Sequence, residues 1–447
     1  MRVIVPIQGV VFFRNFISSG ALSNIAKESE VIVVAMDPDI QRFELPAGMT
    51  FHSGVSPNPQ RAQIRFWIQE FVMCGLRHRS KTFQLKLYRL SWKKKYIYPF
   101  LAFPLSARWV QKISEFFLGT DLLVDKLVQE LKPDWIILPS SCEDSLTADF
   151  VKAAKKFGAK SFILVNGWDN LTSKGTLPVF PDKIGVWGPQ GANDAFKIHR
   201  ISRKRIEILG APQFERYFQS EFSENGQEEV RTMNGIPQDK KVILFAGSFQ
   251  PFDEITVLRI LDKAIESGHL PNAHVLYRPH PWRHWRDHED NFVSTEYKHV
   301  SLDVQVAEIF LQIKKSGKAS EAKKVFPDLE YYPKIIQMAE CILSPLSTFV
   351  LESLLMGKKT LAICYPDGKH FFSADKVSQY EHVQYMETSP GLKFCRDAKD
   401  LISMTQELLL PVDADKLHRD INNHLKFVVH SDNIPYAGRL AKVVSNA

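Results

Sequence analysis

At 447 residues the chain is longer than one hydrophobic core usually serves, so two domains are expected. A composition of 45% hydrophobic and 24% charged residues excludes a disordered or fibrous protein, and five scattered cysteines without C-x-x-C spacing exclude a zinc ribbon and fit a reducing, cytoplasmic setting. The net charge of +7 is local: residues 61–112 hold twelve Lys/Arg against Glu70 alone, leaving 45 Lys/Arg against 49 Asp/Glu elsewhere.

The opening MRVIVPIQGVVFFRN runs directly into an apolar strand and lacks a small-residue cleavage site, so no secretory leader is expected. Residues 2–7, an amphipathic stretch from Asn15 to Lys27 and the run at 31–36 read as strand, helix, strand. The basic segment 61–112 follows. Its Tyr96–Val110 stretch is broken by Pro99 and Pro104 and falls short of the roughly 20 apolar residues of a spanning helix. Interleaved charge and aromatics there fit a basic helical hairpin over the first domain, peripheral contact with an anionic membrane at the inner face of the plasma membrane, or, least favoured, RNA; no nucleic acid partner is expected.

Strands at 134–141, 160–167, 182–188 and 205–210 then alternate with helices, which predicts a parallel sheet covered on both faces. This first domain spans 1–215, and a polar linker covers 216–239. The pattern restarts over 240–429 with strands at 240–248, 273–281, 341–347 and 359–364. Residues 298–326 read as a local insertion with one helix. The tail reads as two helices, the last of which, within 430–447, is expected to pack on the first domain. The fold class is therefore α/β, two tandem Rossmann-like doubly wound domains with an interdomain cleft.

Ligands in such sheets bind beyond the strands' carboxyl ends, so polar residues there are the candidates. In the second domain these are Gly247 and Ser248, then Arg278 and His280 in a proline-fixed loop suited to a phosphate or a proton. Ser347 and Thr348 open a helix whose N–H groups favour an anion, with Glu352 placed for ribose hydroxyls. In the first domain Glu143 and Asp144 are paired carboxylates, one a possible general base and one a possible helix cap. The string Asn166–Gly175 offers Trp168 for stacking, Asp169 as a rival base, and Asn170, Ser173 and Lys174 for polar contacts. Arg14 and Asn15 lie in the first loop. No G-x-G-x-x-G or P-loop is present, so no dinucleotide cofactor is expected. His280, His284 and His288 have helical spacing for a metal, but their basic surroundings favour a solvated turn, and no metal is expected.

The strings VNGWDNLTSKG, VWGPQ with ILGAPQF, YRPHP and SPLSTFVLESLLMGK resemble the GT-B glycosyltransferases, and more narrowly the surface-polysaccharide transferases related to CDP-glycerol glycerophosphotransferases. Glu143-Asp144, His280-Pro281 and Ser347-Thr348 look like the acidic pair, His-Pro and Ser-Ser/Thr motifs of bacterial GT-B sialyltransferases, with Ser145 where that family has glycine. Retaining relatives carry a glutamate eight residues before the position of Glu352; Ser344 stands there, so the resemblance implies an inverting, metal-independent reaction. It implies a nucleotide-sugar donor, CMP-, CDP- or UDP-linked, and a glycan or lipid-linked acceptor. Alternatives are a polyol-phosphate transferase with a CDP-glycerol-like donor, a UDP-sugar 2-epimerase, and a non-catalytic binding protein.

Overall fold

A computed structural model describes residues 1–219, 224–280, 292–316 and 329–446. The chain divides into two units: Met1–Glu215 with Tyr380–Tyr385 and Lys426–Ala447, and Arg216–Gln379 with Met386–Leu425.

The first unit is built on seven parallel strands: β1 (Arg2–Ile7), β2 (Glu30–Ala35), β3 (Met49–Ser53), β4 (Trp135–Ser140), β5 (Lys160–Val165), β6 (Lys183–Val186) and β7 (Ile206–Ile208). They lie in the order β3-β2-β1-β4-β5-β6-β7. The apolar runs are continuous because both faces are covered. Alternate residues feed two cores: Ile4, Ile136 and Leu138 pack with Val128 and Phe150, whereas Val3, Val5 and Ile137 pack with Phe16, Tyr436 and Leu440. The last helix, Tyr436–Ser445, thus belongs to the first unit's core.

The second unit has six parallel strands, β8 (Lys241–Ala246), β9 (Ala273–Arg278), β10 (Val300–Leu302), β11 (Cys341–Ser344), β12 (Lys359–Ile363) and β13 (Leu392–Cys395), in the order β10-β9-β8-β11-β12-β13. Each sheet therefore reverses direction between its first and fourth strands, β1/β4 and β8/β11, the switch points at which such folds open a crevice.

Three local expectations change. The stretch Asn15–Lys27 is not one helix: a π-helical turn at Arg14–Ser18 gives way at Gly20, with φ +78°, to a separate helix Ser23–Glu28. The segment 298–316 is no insertion, because β10 is an integral edge strand pairing with β9 and leads into the helix Val304–Ser316. Strands β3 and β13, unforeseen in the sequence, are short sheet strands flanking the predicted ones.

Residues 59–118 form helices Pro59–Gly75, Lys81–Lys86, Trp92–Leu101 and Pro104–Leu118. Asn58 caps the first through Gln60 and Arg61 N–H, with Pro59 at its first position. Among the described residues no helix is long and apolar enough to cross a membrane.

Candidate functional site

In the first unit the end of β4 turns sharply. Cys142 has φ +69°, a left-handed conformation costly for a side-chain-bearing residue, and the turn is tied by the Ser140 hydroxyl, which accepts from Cys142 N–H at 3.0 Å. Asp144 belongs to this tie. It accepts from the Ser140 hydroxyl (2.8 Å), Ser141 N–H (2.6 Å) and the Ser141 hydroxyl (3.1 Å). Burial raises its pKa and those three donors oppose the shift. The carboxylate is thereby occupied in holding the turn.

Asp169 is occupied too, by the Ser173 hydroxyl at 2.6 Å and the Asn170 amide at 3.1 Å. Burial works against its ionisation, yet His382, Lys174 and the Ser173 hydroxyl hold its pKa below the usual carboxylate range. Glu143 differs from both: among the described residues nothing donates a hydrogen bond to it. Its stem lies over Gly175, where an added Cβ would come 4.0 Å from the Glu143 Cγ. Partial desolvation raises its pKa, and Lys174 and Lys86 pull it back.

The β5 loop surrounds this carboxylate. Asn170–Lys174 is a second π-helical turn, a geometry frequent at functional sites. Asn15, on the first π turn, donates its amide to the Asn166 Oδ1 at 2.9 Å and accepts from the Arg14 Nε at 3.0 Å, so the loops after β1 and β5 are joined. Asn170 accepts from Gly167 N–H at 2.8 Å. Trp168 is buried with its ring 4.9 Å from His382, edge to face, so it does not offer the stacking surface expected of it. Ser173 donates its hydroxyl to Asp169.

Two members of the cluster were not singled out in the sequence. Lys86 ends the helix Lys81–Lys86, and burial lowers its pKa to about 8, with Glu143 and Asp169 opposing and Lys174 adding to the fall. His382 is buried, bonds Thr172 Oγ1 through Nδ1 at 2.8 Å, and is pushed by burial down to about 4, so it is neutral at physiological pH. Glu381 beside it accepts from the Ser80 hydroxyl at 2.6 Å, which fixes the start of the Lys86 helix.

In the second unit the end of β11 makes a matching turn, with Leu346 at φ +49°. Ser347 then caps the helix Thr348–Leu355, its hydroxyl accepting from Phe349 N–H at 3.2 Å and lying 3.0 Å from that of Ser344. Thr348 is exposed at the first helical position. Glu352 is engaged by the Tyr217 hydroxyl at 2.7 Å.

The β8 end is a close crossing. A Cβ on Gly247 would lie 3.0 Å from both His280 N and Pro279 Cα, so only glycine lets the β8 and β9 loops approach this closely. Ser248 N–H donates to buried Glu254 at 3.1 Å, and the Tyr277 hydroxyl donates to the same carboxylate at 2.7 Å. His280 stands with its ring 5.6 Å from Phe249.

Arg278 departs from expectation. Its guanidinium is buried, paired with Asp303 at 3.0 Å and seated 4.5 Å over the Tyr332 ring, while among the described residues its Nη1 and Nη2 have no hydrogen-bond partner. Asp303 also accepts from Tyr331 (2.9 Å) and Val306 N–H (3.0 Å), tying β9, β10 and two helices together. Pro281, His284 and His288 lie outside the described residues.

Residues 192–311 match the family model described as CDP-glycerol:poly(glycerophosphate) glycerophosphotransferase, a stretch that includes Gly247, Ser248, Arg278 and His280. No curated protein matches the sequence. Among solved structures, UDP-GlcNAc 2-epimerase from Methanocaldococcus jannaschii is similar over 100% of this chain and 99% of its own, at 12% identity and TM-score 0.56. A glycosyltransferase from Rickettsia africae is similar over 100% and 97%, at 11% identity and TM-score 0.51. The wall teichoic acid polymerase TagF is similar over 100% and 88%, at 11% identity and TM-score 0.50. The chain has the GT-B fold, and its residues 192–311 are similar to the CDP-glycerol glycerophosphotransferases.

Proposed function

We propose that the chain is an inverting, metal-independent glycosyltransferase that moves a sugar from a nucleotide-linked donor to a hydroxyl of a glycan or lipid-linked acceptor, associating peripherally with the membrane through residues 61–112. The observation that carries this reading is the contrast among three clustered carboxylates. Asp144 and Asp169 are consumed by hydrogen bonds, whereas Glu143 has no donor among the described residues and has a raised pKa opposed by Lys174 and Lys86. A base so tuned accepts a proton more readily than an ordinary carboxylate.

The acceptor oxygen loses its proton to Glu143 and bonds to the anomeric carbon as the bond from that carbon to the donor phosphate breaks. Within the second unit, the N–H groups that open the helix at Thr348, together with His280, suit a nucleoside phosphate. Lys86 and Lys174 neutralise phosphate on the acceptor side. The strained turns at Cys142 and Leu346 support both assignments, since strain of this kind collects at functional sites.

Transfer of glycerol phosphate is a second reading, favoured by the family match over 192–311. Acceptor-dependent nucleotide release, measured across CDP-glycerol, CMP-, CDP- and UDP-sugars, separates the two. Turnover of CDP-glycerol alone selects the second, and conversion of a UDP-sugar to its 2-epimer without acceptor eliminates both.

A further inference from the structure

A small satellite core of the first unit gathers arginines that nothing neutralises. Val72, Met73, Leu76, Phe83, Ala107 and Ile198 pack together, which brings three parts of the chain to one place: the end of the helix Pro59–Gly75, the helix Pro104–Leu118, and the residues that follow the helix Pro189–Lys197. Each part carries an arginine beside its contact. Arg79 closes the short turn Arg77–Arg79 just after Leu76, Arg108 adjoins Ala107, and Arg200 comes two positions after Ile198.

Among the described residues none of these three forms an ion pair. The acids that come near them in the chain or the fold are engaged elsewhere: Glu70 pairs with Lys94, and Glu381 accepts from the hydroxyl of Ser80, the neighbour of Arg79. Arg108 donates to the His199 carbonyl at 2.9 Å. The Nη1 of Arg79 is sealed from solvent and has no hydrogen-bond partner, a costly state for a charged donor. The charges also act on one another. Burial and then Arg200 lower the pKa of both Arg79 and Arg108, with Arg108 adding to the fall of Arg79; burial, Arg79, Arg77 and Arg200 lower that of His78. Arg77 differs, because the carbonyls of Cys74, Pro99 and Ala102 take its guanidinium and hold the turn in place. Arg200 sits just past a helix where glycine is usual, at φ +62°, with its N–H on the Phe196 carbonyl at 3.1 Å.

We propose that Arg79, Arg108 and Arg200 form a binding site for a small soluble anion carrying a phosphate or diphosphate group. Three planar forks of N–H donors without an acceptor among them match the oxygens of such a group, whereas a carboxylate would offset only one of the three charges. The site is separate from the Glu143 cluster but linked to it. The His199 Nε2–H donates to the Leu171 carbonyl at 2.7 Å, in the π-helical turn that holds Asp169, and burial pushes the His199 pKa down to about 4, so the imidazole is neutral. A ligand held by Arg108 is therefore connected through one residue to that loop. The inference does not rest on the transferase reading, since none of the three arginines is assigned a part in that reaction.

The test is calorimetric titration of the full chain with sodium pyrophosphate, chloride holding the ionic strength constant, with the melting temperature followed in parallel. Saturable binding that raises the melting temperature is expected, weaker with inorganic phosphate and absent with acetate. Arg79→Gln/Arg200→Gln should weaken pyrophosphate binding by roughly tenfold or more. Arg200→Gln alone changes an exposed side chain, so it keeps the fold and should still weaken binding severalfold. His280→Ala, in the second unit, should leave this binding intact. Two results overturn the inference: no saturable pyrophosphate binding by the wild-type chain, or binding that both arginine variants retain and His280→Ala removes.

Discussion

The two fourth-strand ends, Ser140–Asp144 after β4 and Ser344–Thr348 after β11, start alike and finish differently. Both place a non-glycine residue in the left-handed region two positions past the strand, Cys142 and Leu346, and both knot the turn with a serine hydroxyl. In the first unit the turn leaves a carboxylate, Glu143, beside lysines. In the second it opens straight into a capped helix N-terminus. One backbone device thus presents a titratable carboxylate in one unit and a fixed positive dipole in the other. The local side chains, not the fold, divide the labour.

The comparison breaks most sharply at Glu143. Glu143→Gln should lower kcat by about 10²–10⁴-fold with donor KM and melting temperature unchanged; a variant that keeps its rate moves the base elsewhere, Asp169 first. Next in size, Asp303→Ala should strip Arg278 of its buried partner and destabilise the protein by about 3–5 kcal/mol in chemical denaturation. If the folded fraction instead binds donor more tightly, Arg278 is a ligand residue held in reserve.

Ser347→Ala should cost about 1 kcal/mol as a lost cap and raise donor KM more than it lowers kcat. An altered kcat at constant KM would make the second turn part of the chemistry. The smallest effect is on pH dependence. Activity should rise as pH passes the raised Glu143 pKa, because the base must be ionised, and fall as Lys86 loses its proton near pH 8. Lys86→Arg should keep the acid limb and remove the alkaline one, since arginine stays charged; an alkaline limb that persists assigns it to another group.

Much of the candidate site was legible as position. Glu143, Asp169, His280 and Ser347 each follow an apolar run, and a parallel sheet sends the ends of such runs to one edge. Their partners were not legible. Asp144 and Glu143 are adjacent carboxylates in the text, and only the hydroxyls of Ser140 and Ser141 distinguish them. Arg278 read as exposed because it ends a strand; Asp303, 25 positions on at the end of β10, turns it inward. Lys86 was one of twelve basic residues in its segment, and His382 lies more than 200 residues from its Thr172 partner. The short edge strands β3 and β13 carry too few apolar residues for a periodic signal.

The sequence by itself determined the two sheets, because uninterrupted apolar runs of four to six residues have no stable place except between two covering layers, and it determined that 61–112 is basic and aromatic. Which way that segment faces was decided only by tertiary structure. A helical stripe of Leu105, Trp109, Ile113 and Phe116 reads as a core face on periodicity alone. Here the Arg65–Glu115–Asp149 network takes the inner side, since buried charges must be paired, and the rings are left for whatever the face meets outside.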